Sequence, residues 1–195
     1  SSSGLLSSTM YGPGVKPYQP GKIWDMVGLP GGDTRKYVQD TGDKLYRRSL
    51  YSFWKRMAPP PNLEAFNAPS REVCTVRRER TNTPLQALVT LNDPQFVEAA
   101  RHLAQQALTS GNQSDAVLAE IAQRVLCRPL SDQETTLVLT AYADLLTHYE
   151  ANLDDASALV AVGESKADET LDTSRLAAWT MVCNQLMNLD ETLNK

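Results

Sequence analysis

Apolar positions recur with helical spacing over the second half of the chain and with no lasting period over the first. In PQFVEAARHLAQQALTSG, residues 94–111, Val97, Ala100, Leu103, Ala104, Ala107 and Leu108 share one face, the signature of an amphipathic helix. Thr83-Pro84 and Asp93-Pro94 each join an N-cap residue to proline at the first helical position, so two helices start in close succession, and Gly111 ends the second. Ser114 then caps a helix with Leu118, Ile121, Ala122 and Val125 as its stripe, which Pro129 stops. Ser131 with Glu134 forms a capping box for the next helix, with Leu137, Ala141, Leu145 and Tyr149 inward. Residues 151–172 are acidic and weakly patterned, a loop with at most one helical turn. A last helix, from Thr173, turns Leu176, Trp179, Val182, Cys183, Leu186 and Leu189 to the core. Four longer helices and one short one give a mainly α chain, a helical bundle over residues 83–195.

Residues 1–82 read as an irregular wrapping segment, the two parts together making one domain. The opening SSGLLSSTM has the pattern of a helix end. Residues 11–43 are dense in Gly and Pro (YGPGVKPYQPGKIW, VGLPGGD), which favours turns over regular helix. Tyr11, Tyr18, Ile23, Trp24, Met26 and Val27 lie in this region and would be wasted in a free linker, so the region is expected to lie on a partner surface. Residues 44–56, KLYRRSLYSFWKR, fit both an alternating and a helical period, and their aromatic content tips them toward a short strand. The prolines of APPPNLEAFNAPSRE then impose an extended path.

Charge divides the chain differently. The net of -4 is balanced over residues 1–43, +6 over 44–80 and -10 over 81–195. A net acidic chain with one short basic segment lacks the broad footprint of a nucleic-acid binder, and pairing of the basic middle with the acidic remainder is the simplest use of the asymmetry. No run approaches the roughly 18–20 apolar residues of a membrane span. Cys74, Cys127 and Cys183 are too few and too scattered for a disulfide framework, and Cys127 and Cys183, set among apolar helical residues, read as buried free thiols. The start without Met, on a pattern typical of the middle of a protein, suggests a fragment of a longer chain.

Three stretches, YRRSLYSFWKR, APSREVCTVRRERTNTPLQALVTLNDPQFVEAAR and AWTMVCNQLMNLDE, resemble the C-terminal domain of unknown function found in large planctomycete proteins with an N-terminal c-type cytochrome domain. The resemblance covers nearly the whole chain and is most specific from Tyr46 to Arg101. Matched positions include Arg47, Arg48, Trp54, Arg71, Arg77, Arg78, Thr81, Asn82, Thr83, Pro84 and Gln86. It implies a periplasmic or cell-envelope protein, with haem c in another part of the chain and the upstream domains as partners. This segment has no haem attachment motif of its own. Asn67 stands where the family pattern carries Asp, which argues against a catalytic carboxylate there. No reaction comes with the resemblance, and whether the chain is an enzyme stays open.

The candidate ligand-binding residues are Arg47, Arg48, Arg77, Arg78, Arg80 and Asn82. Arginine grips carboxylate, phosphate or sulfate through paired donors, so two such clusters meeting in a cleft would suit an anionic ligand, an acidic or sulfated carbohydrate included. The competing reading has the same arginines paired with Glu72, Glu79 and the acidic helices, in a structural or docking module without chemistry. Asn82 and Asn92 flank a helix start and end, where turns and caps account for them; alternatively the free amide ends of the helices that start at Pro84 and Pro94 face a ligand carboxylate or phosphate. His102 and His148 have no spaced Cys, His or acidic partners of the kind a metal site needs, and no nucleophile elbow is present.

Overall fold

A computed structural model describes residues 1–27, 35–111 and 113–194. The Gly/Pro turn expected at VGLPGGD lies outside them from Gly28 to Asp33, as does the side chain of Met26. The described residues are mainly helical: α1 Pro61–Ala65, α2 Pro84–Asn92, α3 Pro94–Ser110, α4 Ser114–Val125, α5 Asp132–Ala151, α6 Leu153–Val160, α7 Thr173–Met187 and α8 Asp190–Leu193. The chain divides into two compact units, Leu6–Val89 and Ser1–Leu5 with Thr90–Lys195.

In the helical unit, α7 is the centre. Leu176, Ala177, Ala178, Trp179, Val182, Cys183 and Leu186 are all buried, so the helix is apolar round most of its circumference, as a helix enclosed by neighbours must be. It packs against α3, α5 and α6. Ala100, Ala104 and Ala107 of α3 and Ala177 and Ala178 of α7 are fully buried small residues that let helix backbones approach closely. Tyr142 of α5 stacks on Trp179 with ring centroids 4.2 Å apart.

Every residue of the expected α3 and α4 stripes is buried. The α5 face differs. Leu137 is 72% exposed, and the inward line runs through Val138, Tyr142, Leu145 and Tyr149. Ala141 is too small to fix a face, whereas the Tyr142 ring, stacked on Trp179, sets the inward line in the first half of the helix. Leu189 is 42% exposed because α7 stops at Met187, and helical spacing loses its meaning beyond Asn188.

Local signals explain most helix ends. Asp93 accepts from the Gln95 amide at 2.9 Å, and Ser131 and Glu134 form the reciprocal capping box. Ser114 is the first residue of α4, whose N-cap is Gln113, and does not cap it from outside. Two turns of helix, α6, replace much of the expected loop at 151–172: Asp154 and Asp155 occupy its first turn, where the helix dipole favours them, and Ala156 is wholly buried. The opening residues form a turn, Gly4 N–H to Ser1 carbonyl at 2.9 Å, where a helix end was expected. Cys183 is buried, which pushes its thiol pKa well up, but Cys127 is exposed at a left-handed φ of 56° just past α4. All three cysteines are free.

Segment 161–172 closes over α3 through a buried ionic network. Glu98 and Arg101, 1% and 0% exposed, lie 3.9 Å apart. Glu98 Oε1 accepts from the Ser165 amide and hydroxyl, both at 2.6 Å, while Arg101 Nη2 donates to the Ser165 carbonyl at 2.5 Å. Gly163 (φ 95°) approaches so closely that a β-carbon would lie 2.3 Å from Glu98 Cδ.

The other unit, residues 6–89, holds little regular structure beyond α1 and most of α2. Residues 44–56 form short 3₁₀ turns at Gly42–Tyr46 and Ser49–Tyr51, with isolated bridges Val15–Ser52 and Lys55–Ala58 in place of the expected strand. Trp24, 2% exposed, supplies the centre, with Tyr37 edge-on at 4.9 Å, Phe53 at 5.4 Å and the Lys55 ammonium 4.7 Å from its ring. Burial and the nearby Asp40 charge push the Tyr37 hydroxyl pKa well up, and that hydroxyl donates to the Pro17 carbonyl at 2.5 Å. Tyr11, by contrast, is 82% exposed.

Candidate functional site

Residues 72–80, EVCTVRRER, are exposed at every position and are held at both ends. At the leading end, Arg71 adopts a left-handed φ of 64°, a conformation that costs a non-glycine residue roughly 1 kcal/mol or more and needs support from its surroundings. Its guanidinium supplies that support. It donates to the carbonyls of Ser52 at 3.3 Å, Ser49 at 3.2 Å and Leu50 at 3.4 Å, and lies over the Trp54 ring at 4.9 Å. The acceptors all belong to the 3₁₀ turn and its C-cap, and the Ser49 carbonyl takes the Arg71 guanidinium in addition to the Ser52 amide at 3.1 Å.

At the trailing end, Gln86 is the clasp, 2% exposed. Its Nε2 donates to Thr81 Oγ1 at 2.8 Å and to the Ala65 carbonyl at 2.9 Å. Its Oε1 accepts from the Thr83 amide at 3.0 Å, and its own amide donates to Thr83 Oγ1 at 3.3 Å, completing a capping box at the start of α2. Asn67, at φ 54°, donates from Nδ2 to Thr81 Oγ1 at 2.7 Å. An aspartate could not donate that bond, so asparagine at this position has a structural use.

The predicted arginines separate into two groups. Arg47 is half-buried and donates to the carbonyls of Pro13 at 3.1 Å, Thr9 at 3.4 Å and Tyr11, with its guanidinium 3.8 Å from the centre of the Tyr51 ring. Its partners are carbonyls and an aromatic face, where carboxylates were the expected alternative. Arg48 is exposed. Arg77, Arg78, Glu79 and Arg80 line an open cleft of about 350 Å³, with neither Arg47 nor Arg48 on its wall. Among the described residues Arg77 and Arg78 form no ion pair; Glu72 is taken by Arg56, Nε to Oε1 at 2.5 Å. Asn82 is exposed at the end of the basic run. At the two helix starts the Gln86 amide is taken by Thr83 Oγ1 and the Gln95 amide by Asp93 Oδ1, which fits the capping reading.

Sequence reasoning missed a second cleft. Trp54, Arg56, Ser70, Arg71, Glu72 and Val73 line an open volume of about 630 Å³ at the leading end of the same loop. It named Gln86 only as a matched position and missed its capping role, although the Thr83-x-x-Gln86 spacing obeys the rule that identifies Ser131 and Glu134. The described residues contain no group of three or more His, Cys, Asp or Glu placed to hold a metal, and no helix long and apolar enough to cross a membrane.

The chemistry this arrangement supports is recognition, through exposed guanidinium groups on a loop held at both ends. No curated protein and no solved structure matches the chain. A family model does match, over residues 1–142, ending inside α5 and containing both anchors and both clefts. The chain therefore belongs to the family described as protein of unknown function DUF1553 (PSD1).

Proposed function

We propose that this chain is a binding module without chemistry of its own, which grips an anionic ligand through Arg77, Arg78 and Arg80. The observation that carries the reading is the open cleft lined by Arg77, Arg78, Glu79 and Arg80, on a loop exposed throughout and anchored at Arg71 and Thr81. Anchoring removes ordering entropy from the act of binding, so exposed arginines held in place bind more tightly than the same residues on a free tail. By its resemblance, the module sits at the C-terminal end of an exported, cytochrome-linked protein whose haem is attached upstream.

Binding of dextran sulfate, with neutral dextran as control, tests the reading. The Arg77→Ala/Arg78→Ala protein should lose ~10- to 100-fold in affinity, and wild-type binding should weaken as salt rises. Equal binding by the variant, or no binding at low salt, sinks it.

A second reading is docking onto the upstream part of the longer chain. It is favoured by Leu85 and Leu88, 57% and 58% exposed one turn apart on α2. Leu85→Lys should then abolish association with that upstream part while leaving dextran sulfate binding intact.

A further inference from the structure

The cleft at the leading end of the loop has a different chemistry from the arginine cleft. Trp54 forms one wall as a partly exposed indole, with Arg71 fixed over its ring. Opposite charges stand side by side at the rim, because Arg56 Nε lies 2.5 Å from Glu72 Oε1 while the two side chains are 80% and 44% exposed. At those exposures the pair presents both donor and acceptor groups to solvent. A planar donor next to a planar acceptor matches a vicinal diol, which offers one oxygen to accept and one hydroxyl to donate. An aromatic ring beside such a pair suits the apolar C–H face of a pyranose. The volume, about 630 Å³, falls in the range of small-ligand sites, roughly 300–1,000 Å³.

The two clefts are also close in the chain. Val73 lines the first and Arg77 the second, so at full extension they are at most about 14 Å apart, a span of two or three sugar rings. We infer that the ligand is an acidic saccharide lying along residues 70–80, one pyranose ring against Trp54, Arg56 and Glu72 and its sulfate or carboxylate groups on Arg77, Arg78 and Arg80. This rests on the anion-binding reading and adds to it a saccharide class and a second subsite.

Trp54 reports directly on the claim, since Trp24 and Trp179 are buried and respond little to a soluble quencher. The probes are a chondroitin sulfate tetrasaccharide and its desulfated counterpart, which keeps the uronate carboxylates. The sulfated sugar should shield tryptophan emission from acrylamide. Arg77→Ala/Arg78→Ala should weaken its binding ~10-fold or more while saturating sugar still shields Trp54. Arg56→Ala/Glu72→Ala, two exposed substitutions that spare the Trp54–Arg71 packing, should remove the shielding and leave salt-sensitive binding. The desulfated sugar should bind more weakly yet shield Trp54 when saturating. Sulfated sugar that binds without shielding Trp54 overturns the saccharide subsite and leaves the anion-binding reading intact. If neither sugar nor dextran sulfate binds at low salt, both fail.

Discussion

Gln86 Nε2 donates to Thr81 Oγ1 at 2.8 Å, and with that bond a residue of α2 fixes the point where the exposed basic loop ends. The same side chain donates to the carbonyl of Ala65, the last residue of α1. Replacing Gln86 by Ala leaves buried donors and acceptors unmatched and opens the capping box, a loss of ~1–3 kcal/mol. Urea denaturation should show it as a lower midpoint, and an unchanged midpoint would deny Gln86 its role.

The network of Glu98, Arg101 and Ser165 predicts strong coupling. Arg101→Ala leaves a carboxylate uncompensated in the core and should cost ~3–5 kcal/mol. Glu98→Ala/Arg101→Ala should cost less than the two single losses added, because the pair is coupled. Gly163→Ala, at φ 95° and against a held Glu98 side chain, should cost ~2 kcal/mol or more. Additive losses in the double variant would mean that the two charges do not act together.

Glu134 gives the stability a definite pH dependence. Hydrogen bonds from Arg128, and then from the Ser131 amide and hydroxyl, hold its carboxyl at about 2 against a usual 4.5. A folded pKa below the unfolded one stabilises the fold fully above about 4.5, and the contribution fades as pH falls toward 2. Melting temperature should therefore drop over that window, and Glu134→Gln should flatten part of the drop. A variant that follows the wild-type curve throughout would contradict the assignment.

The thiols should react in two classes. Cys74 and Cys127 are exposed and Cys183 is buried, with its ionisation suppressed. A thiol reagent should label two cysteines quickly in the native protein and the third only on unfolding. Three fast thiols would be inconsistent with the α7 core.

The helical unit was legible where periodicity and caps agree. Val97 to Leu108 and Leu118 to Val125 all bury as their spacing dictates. Spacing failed where a small residue left a face undefined, as at Ala141, and where polar residues disguised a helix, as in α6. The other unit was less readable, because its contacts run from guanidinium and amide groups to backbone carbonyls, which carry no sequence signature. Arg47 and Arg71 look like Arg77 and Arg78 in the sequence, yet the first two face carbonyls and rings while the second two face solvent. A turn, a stacked ring and a left-handed backbone angle separate them.

That separation is the centre of the account, and thermal denaturation of two variants tests it most directly. Arg71→Ala removes three carbonyl bonds and the ring contact that hold a left-handed residue, and should lower the melting temperature by several degrees. Arg77→Ala/Arg78→Ala should melt within about a degree of the parent, since exposed substitutions away from structural contacts change stability by less than about 0.5 kcal/mol. A comparable fall in both would contradict the account, because it would make the exposed arginines part of the brace.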